Sequence, residues 1–247
     1  STMVTLCEQV DVILVGDSAG MVMLGYDNTT LVTMDDMIRF TTAAKNARKN
    51  SLIVSDLPIN SYQTGKDAVT NSLKLIEAGA DAVKLEGGKE VAGIIKSITE
   101  SEIPVMGHLG LLPQTAEKYT VQGKTKEDAI QLIEDAKIIT ESGVFSIVLE
   151  MVTSQVAKII TEKITVPTIG IGSGKDCDGQ VLVVHDMLGL FEKIKPKFAK
   201  RYLSLSEEIR NAVKSYVTDV KKENFPTNEN EFQMDESEYN KLKEGIV

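Results

Sequence analysis

Tryptophan is absent from this chain of 247 residues, and cysteine and histidine occur only twice each. The two cysteines, Cys7 and Cys177, lie far apart and lack the spacing of a disulfide framework or a cysteine metal motif. The two histidines, His108 and His185, are too few for a multi-histidine zinc site. These four residues therefore predict free thiols and isolated imidazoles rather than a zinc centre.

Long hydrophobic runs are also missing. No apolar stretch approaches the roughly 20 residues of a membrane-spanning helix, and the first residues show no signal-peptide pattern. The formal net charge is −9, which opposes binding to nucleic acid or to an anionic membrane surface. We therefore expect a cytoplasmic protein whose partners are small molecules, with no nucleic-acid or membrane partner.

No low-complexity or proline-rich segment interrupts the sequence, which contains six prolines. Its length is typical of one (β/α)₈ barrel, about 250 residues, and its hydrophobic content of 42% is sufficient for a large core. We expect a single barrel domain over residues 1–247, in which residues 222–247 form a polar C-terminal tail.

What the chain does contain is a series of short hydrophobic runs, the first five of which end on a polar residue capable of chemistry. The runs are rich in β-branched residues and bounded by turn residues, as expected of strands buried on both faces of a parallel sheet. Two further runs follow the first five. The seven runs span residues 12–18, 52–56, 82–86, 104–108, 146–150, 166–171 and 181–185.

Helical patterns accompany the runs, at residues 35–46, 66–78, 89–99, 126–142, 154–163 and 205–220. The alternation of buried strands with helices predicts an α/β fold, a (β/α)₈ TIM barrel. Residues 2–9 resemble the second half of a helix, and no strand pattern comes before them. We therefore expect the first strand of the barrel to be missing from this sequence, because an open barrel leaves two unpaired strand edges.

Three carboxylates end or follow successive predicted strands: Asp17, Asp56 and Glu86. Active sites of (β/α) barrels lie at the carboxyl ends of the strands, so these side chains are expected to meet there. Like charges held close together repel unless a cation lies between them, and oxygen-only ligands favour Mg²⁺. The alternative for any one acid is a helix N-cap, but three acids in register favour the metal site.

Lys84 precedes Glu86 by two residues, so both side chains point to the same face of one strand. A lysine inside a barrel requires a negative partner, which is either the substrate or, alternatively, the neighbouring acids in a structural ion pair. His108 ends the next run among glycines. It is either a site residue or an ordinary core histidine.

Glu150 ends a predicted strand that is separated from the three acids along the chain. It is followed by the apolar residues Met151 and Val152, a setting typical of a general base. Glu150 is therefore the candidate for proton transfer, and a salt bridge with a lysine elsewhere is the alternative.

Polar and glycine-containing motifs run through most of the chain, and together they are more specific than any one of them. They are Val15-Gly16-Asp17-Ser18, Gly25-Tyr26-Asp27-Asn28-Thr29, Asp56-Leu57-Pro58, Lys84-Leu85-Glu86-Gly87-Gly88, Gly107-His108-Leu109-Gly110-Leu111 with Pro113-Gln114, Val121-Gln122-Gly123, Leu149-Glu150, Gly170-Ile171-Gly172-Ser173-Gly174, Asp178-Gly179-Gln180 and Pro196-Lys197-Phe198-Ala199-Lys200. In these motifs the sequence resembles the ketopantoate hydroxymethyltransferase family.

The resemblance implies a Mg²⁺-dependent barrel of the phosphoenolpyruvate/pyruvate type. The implied activity is transfer of a hydroxymethyl group from the cosubstrate 5,10-methylenetetrahydrofolate to 3-methyl-2-oxobutanoate, which gives 2-dehydropantoate in pantothenate biosynthesis. The family assembles as a homo-oligomer, typically a decamer. The resemblance also carries over site residues by position: as metal ligands Asp17, Asp56 and, through bound water, Glu86; as substrate contacts Asp17, Ser18, Asp56, Lys84 and His108; and as the base Glu150.

The mechanism implied by these roles is an enolisation. Mg²⁺ binds the carboxylate and keto oxygens of the substrate, Glu150 removes the C3 proton, and Lys84 with the metal stabilises the enolate. Two alternatives stay open. A Mg²⁺-dependent 2-oxoacid lyase or aldolase of the same fold needs no folate, and a truncated barrel would be inactive. A requirement for methylenetetrahydrofolate tests the first, and circular dichroism with light scattering tests the second.

Overall fold

The computed structural model describes residues 2–7 and 9–245. In this part of the chain, seven parallel strands form one sheet in which each strand pairs with the next along the sequence. Because all the strands run in one direction, their carboxyl ends lie at the same edge, here called the rim. The strands are β1 (Val12–Val15), β2 (Leu52–Asp56), β3 (Ala82–Glu86), β4 (Val105–Gly110), β5 (Ser146–Glu150), β6 (Thr168–Ile171) and β7 (Gly179–Gln180).

Helices connect most of the successive strands and pack against the outer face of the sheet. None of the described helices combines the length and the apolarity needed to cross a bilayer. The helices are α1 (Thr2–Leu6), α2 (Ala19–Val22), α3 (Met34–Lys45), α4 (Gly65–Ala78), α5 (Ala92–Thr99), α6 (Lys126–Glu141), α7 (Ser154–Lys163), α8 (Val184–Met187), α9 (Leu205–Lys221) and α10 (Glu236–Gly245), with 3₁₀ turns at Thr29–Leu31, Lys89–Val91 and Asn228–Asn230.

Side chains alternate between the two faces of the sheet. On β3, Val83 and Leu85 belong to the large cluster between the sheet and the helices, whereas Ala82 packs in a smaller cluster on the opposite, inner face. Lys84 and Glu86 share the face of Ala82 because they lie two and four residues further along the strand. The inner face is therefore apolar where β3 begins and charged where it reaches the rim.

Threonine caps determine where three of the longer helices begin. Thr33, Thr64 and Thr125 each accept a hydrogen bond from the backbone N–H three residues further on, which satisfies a donor that the first helical turn leaves free. Helix α4 ends at Gly79, whose φ of 111° is a left-handed conformation suited to glycine. These boundaries confirm the corresponding predicted helices to within a residue.

The predicted (β/α)₈ TIM-barrel class is confirmed, with seven parallel strands in the described residues. One strand prediction is wrong, namely the strand expected at residues 181–185. Strand β7 ends at Gln180, residues 181–183 are irregular, and residues 184 and 185 already belong to α8. An apolar run alone does not distinguish a strand from a short helical turn. The helix predicted over residues 2–9 is α1, and Glu8 lies outside the described residues.

The single domain over residues 1–247 stays a prediction, as does the first strand expected upstream. Every described residue of the predicted tail, from 222 to 245, is exposed. Ser1 and residues 246–247 of that predicted domain lie outside the described part of the chain.

Candidate active site

The predicted site residues lie at the rim, either near the carboxyl ends of β1–β5 or just after them. Three of the acids end their strands, and Asp17 and Ser18 follow β1. Burying ionisable groups is costly unless each one is paired, so their contacts decide what the site can hold. Relative exposure is 5% for Asp17, 3% for Asp56, 4% for Lys84, 5% for Glu86 and 2% for His108.

Lys84 and Asp56 form a buried ion pair. Lys84 Nζ lies 2.7 Å from Asp56 Oδ1, and Asp56 Oδ2 accepts a hydrogen bond from the backbone N–H of Asp17 at 3.1 Å. Burial alone lowers the pKa of Lys84, but the charges of Asp56, Glu86 and Asp17 outweigh burial and raise that pKa above its usual value. The lysine is therefore a cation throughout the physiological pH range.

Asp17 is the acid of this cluster whose ionisation is most disfavoured. Burial, and after it the charge of Asp56, raises the pKa of Asp17 to about 7, against the lowering effects of Lys84 and of a hydrogen bond from Gln114. One lysine therefore does not neutralise both aspartates. A divalent cation bound to Asp17 and Asp56 would relieve the repulsion between them.

The donor set at the rim suits a hard cation with few protein ligands. No group of three His, Cys, Asp or Glu side chains in the described part of the chain encloses a metal site. Mg²⁺ does not require such a cage, because it keeps several waters and binds through one or two carboxylates. Asp17 Oδ2 accepts the bond from Gln114 and leaves Oδ1 open, whereas both oxygens of Asp56 and both oxygens of Glu86 contact a protein group. A carboxylate oxygen has a second lone pair, so the Asp56 oxygens can still bind a cation beside these contacts. The residues present therefore fit Mg²⁺ held directly by two aspartates.

His108 lies between two glutamates. Its Nδ1 is 3.3 Å from Glu86 Oε1 and its Nε2 is 3.4 Å from Glu150 Oε2, although neither contact is aligned as a hydrogen bond. Burial and Lys84 lower the pKa of His108, but Glu150 and Glu86 together raise it above its usual value. Burial raises the pKa of Glu86, yet His108 holds that pKa below its usual value. His108 is therefore paired on both sides rather than isolated in the core.

The backbone around Glu150 is tightly constrained. Met151 adopts a left-handed conformation with a φ of 50°, which is uncommon for a residue other than glycine. Gly110, at the end of β4, has a φ of 98°, and a Cβ there would overlap the backbone oxygen of Glu150. The Glu150 side chain is 18% exposed, against 3% for Glu86. The fold thus holds a partly accessible carboxylate at a fixed place on the rim.

Ser18 precedes the short helix α2, but its side chain makes no capping hydrogen bond. A Cβ built on Gly16 would lie 3.2 Å from the Ser18 hydroxyl oxygen and 3.5 Å from Asp56 Oδ2. The Ser18 hydroxyl and Asp56 Oδ2 therefore both border Gly16, and the Ser18 side chain does not cap α2.

Gln114 is a site residue that sequence reasoning missed. It follows β4, and its backbone N–H donates to Glu86 Oε2 at 3.1 Å while its side-chain Nε2 donates to Asp17 Oδ2 at 2.8 Å. Pro113-Gln114 belongs to the motifs that carry the family resemblance, so a signal for its importance was present. The residues next to a glutamine in a loop do not indicate which distant residue its amide will bond. The contacts of Gln114 are therefore known only from the folded structure.

Comparisons with known proteins identify the family. A sequence model described as ketopantoate hydroxymethyltransferase matches residues 2–228. The chain is 59% identical over 251 residues to the 3-methyl-2-oxobutanoate hydroxymethyltransferase of Nitrosopumilus maritimus, covering 99% of this chain and 90% of the relative. This chain belongs to the ketopantoate hydroxymethyltransferase family. A relative of the same name from Cenarchaeum symbiosum is 56% identical and covers 96% of this chain and 92% of its own. Membership confirms the resemblance and makes the chain an enzyme of the transferase class.

Solved structures share the fold at low sequence identity. A 2,3-dimethylmalate lyase of the PEP mutase/isocitrate lyase superfamily has a TM-score of 0.53 at 12% identity, covering 99% of this chain and 89% of that one. An oxaloacetate acetylhydrolase has a TM-score of 0.55 at 10% identity, covering 98% and 89%. At these identities the likeness concerns the fold alone, and it confirms the (β/α) barrel fold.

Proposed function

We propose that this protein transfers a hydroxymethyl group from 5,10-methylenetetrahydrofolate to 3-methyl-2-oxobutanoate, which gives 2-dehydropantoate for pantothenate biosynthesis. Family membership supports this reaction. The observation that carries the proposal is the meeting at the rim of a charged lysine, two buried aspartates and a partly exposed glutamate. A cation, an acceptor for a proton and oxygen ligands for a metal are the groups that enolisation of a 2-oxoacid requires.

The 2-oxoacid end of the substrate binds at the aspartate–lysine cluster. When bound at Asp17 and Asp56, with Glu86 acting through a water ligand, Mg²⁺ would polarise the keto group and acidify the C3 proton. Lys84, kept charged by Asp56, stabilises the negative charge that develops on the keto oxygen. In this proposal the substrate also contacts Asp17, Ser18, Asp56 and His108.

Glu150 removes the C3 proton. One of its oxygens lies 3.4 Å from His108 Nε2, which leaves the other oxygen to accept the proton. The nucleophilic C3 then attacks a one-carbon unit at the formaldehyde level, with water as the source of the new hydroxyl oxygen and tetrahydrofolate as the second product. Because C3 of the product carries no hydrogen, an adduct between C3 and folate could not be resolved by β-elimination. Release of a formaldehyde equivalent therefore precedes carbon–carbon bond formation.

We also propose that the protein is a cytoplasmic homo-oligomer, a decamer by family resemblance, with small molecules as its other partners. The net charge of −9 is unfavourable for nucleic-acid and anionic membrane partners. Helix α9 supports assembly because it exposes apolar side chains at helical spacing, as on a surface that another chain covers. This α9 stripe consists of Ile209, Val213, Tyr216, Val217 and Val220.

Product formation tests the proposed function. The protein is incubated with 3-methyl-2-oxobutanoate, and 2-dehydropantoate is measured by mass spectrometry. We expect product only when both 5,10-methylenetetrahydrofolate and Mg²⁺ are present, and Asp17→Asn should require more Mg²⁺ than the exposed control Asp235→Asn. Turnover of the 2-oxoacid without folate would contradict the proposal and favour a lyase or aldolase.

A further inference from the structure

Gln114 connects the segments at the ends of four strands. Its Nε2 donates to Asp17 Oδ2, after β1, at 2.8 Å and to the backbone oxygen of Leu57, after β2, at 3.0 Å. Its backbone N–H donates to Glu86 Oε2, at the end of β3, at 3.1 Å. Gln114 itself follows β4 and is only 3% exposed. One buried residue therefore links two of the carboxylates at the rim.

The neighbours of Gln114 determine the orientation of its amide. Both hydrogens of Nε2 are used, and Oε1 accepts a hydrogen bond from the Tyr62 hydroxyl at 2.5 Å. The reverse orientation would place Oε1 against Asp17 Oδ2 and the Leu57 oxygen, which are both acceptors. The amide is therefore a fixed donor that engages one oxygen of Asp17 and leaves Oδ1 for a ligand.

We propose that Gln114 is a positioning residue that holds Asp17 and Glu86 in the arrangement that binds the divalent cation and the 2-oxoacid; this rests on the proposed function. Asp17 needs such a restraint because it lies in a turn beyond β1 and is repelled by Asp56. Asp56 differs, since the ion pair with Lys84 already fixes its side chain. Without the amide donor, the Asp17 carboxylate would turn away from Asp56, and the two aspartates would no longer present their oxygens together.

Gln114→Met tests this proposal because methionine keeps the length of the side chain and removes the amide. Gln131→Met is the matched control, since Gln131 Nε2 makes the same kind of bond to Asp135 Oδ1, at 2.9 Å, within α6 and outside the site. Three quantities are measured in the parent and both variants. They are the Kd for Mn²⁺, used as a substitute for Mg²⁺, by electron paramagnetic resonance; kcat and KM for exchange of the C3 proton of 3-methyl-2-oxobutanoate; and the melting temperature.

We expect Gln114→Met to weaken Mn²⁺ binding by about 10- to 100-fold, the usual effect of losing a group that orients a metal ligand. Its kcat at saturating cation should fall as well, whereas Gln131→Met should match the parent in both quantities. A folded Gln114→Met with the Mn²⁺ affinity and kcat of the parent overturns the proposal. A parent that binds Mn²⁺ without exchanging the C3 proton contradicts the proposed function, while a loss of Mn²⁺ affinity in Gln114→Met still supports the role of Gln114. A parent that binds no Mn²⁺ overturns both.

Tyr62→Phe provides a second variant with a milder change. It removes only the hydroxyl that holds Gln114 Oε1, so the loss of Mn²⁺ affinity should have the same direction and a smaller size. If Gln114→Met does not fold, this variant decides the question: a reproducible loss of affinity supports the positioning role, and an unchanged affinity overturns it.

Discussion

The rim of the sheet buries charged side chains, whereas the C-terminal helices expose apolar ones. At the rim, Asp56, Lys84 and Glu86 are charged residues that are 5% exposed or less. In α9 and α10 no residue is buried, and the apolar Val213 and Tyr216 are 56% and 58% exposed. Charged residues are usually exposed and large apolar residues are usually buried. A buried charge therefore requires a group that pairs with it, and an exposed apolar surface requires another surface to cover it.

The difference lies in where those partners are. At the rim, Lys84 pairs with Asp56, His108 lies between Glu86 and Glu150, and Asp17 accepts a hydrogen bond from Gln114. The α9 stripe is only partly covered by the rest of the described chain, in which Tyr216 packs against Phe225. We therefore expect substitutions at the rim to change chemistry and stability, and substitutions in the stripe to change assembly.

The largest effect is expected for Glu150→Gln. An amide cannot accept the C3 proton, so exchange of that proton with solvent should fall by about 10²- to 10⁴-fold, the usual contribution of a general base. Mn²⁺ affinity should stay at the parent value because Asp17 and Asp56 are unchanged. The control is Glu238→Gln on the exposed helix α10, which should exchange at the parent rate. Unchanged exchange in Glu150→Gln would remove this residue from the mechanism.

Two ion pairs of equal length should differ most in how much they contribute to the stability of the protein. Lys84 and Asp56 are 2.7 Å apart with side chains 5% and 4% exposed, and Lys241 and Glu238 are 2.7 Å apart with side chains 70% and 59% exposed. Lys84→Met leaves a buried carboxylate unpaired and should lower the free energy of unfolding by about 3–5 kcal/mol. Lys241→Met should lower it by less than about 1 kcal/mol. Urea denaturation measures both, and equal losses would show that burial does not distinguish the two regions.

Gly110→Ala should have an intermediate effect. A Cβ at this position overlaps the backbone oxygen of Glu150 and is strained at a φ of 98°, so the free energy of unfolding should fall by about 1–3 kcal/mol. Exchange of the C3 proton should also slow because Glu150 moves. Gly93→Ala is the control: a Cβ there meets no atom within 4 Å, and alanine in helix α5 should stabilise by up to about 1 kcal/mol. A Gly110→Ala variant as stable as the parent would show that this contact does not hold Glu150.

The smallest effect on the stability of the chain itself is expected in the α9 stripe. Val213→Asp should change the free energy of unfolding of a single chain by no more than about 0.5 kcal/mol, because Val213 is 56% exposed. The mass measured by light scattering should nevertheless fall, since the new charge lies in the proposed surface between subunits. Asn211→Asp introduces the same residue outside the stripe and should keep the parent mass. An unchanged mass in Val213→Asp would exclude the stripe from the assembly interface.

The strand ends could be predicted from the sequence because a buried strand is a short run of apolar residues. The runs at residues 52–56, 82–86 and 146–150 coincide with β2, β3 and β5, so their terminal acids were placed at the rim by run length and composition alone. The run at residues 181–185 has a similar composition and does not form a strand, since composition does not report whether a neighbouring strand is available for pairing.

The connections within the site could not be predicted, because they depend on which segments become neighbours in space. The contact between Gln114 and Asp17 spans 97 positions. His108 reaches both glutamates through strand register, with Glu86 opposite His108 in one ladder and Glu150 opposite Gly110 in the next. Residue types at the strand ends predict a kind of chemistry, whereas the pairing of charges is a property of the folded sheet.

Exchange of the C3 proton tests the proposed chemistry most directly. Proton NMR of 3-methyl-2-oxobutanoate is recorded in D₂O with the protein and Mg²⁺, and then after addition of EDTA, with no folate present. We predict that the C3–H signal disappears with Mg²⁺ and persists with EDTA, since enolisation needs the rim and the cation but no cosubstrate. A persistent signal with Mg²⁺, from a protein that circular dichroism shows to be folded, would contradict enolisation by Glu150 and Lys84.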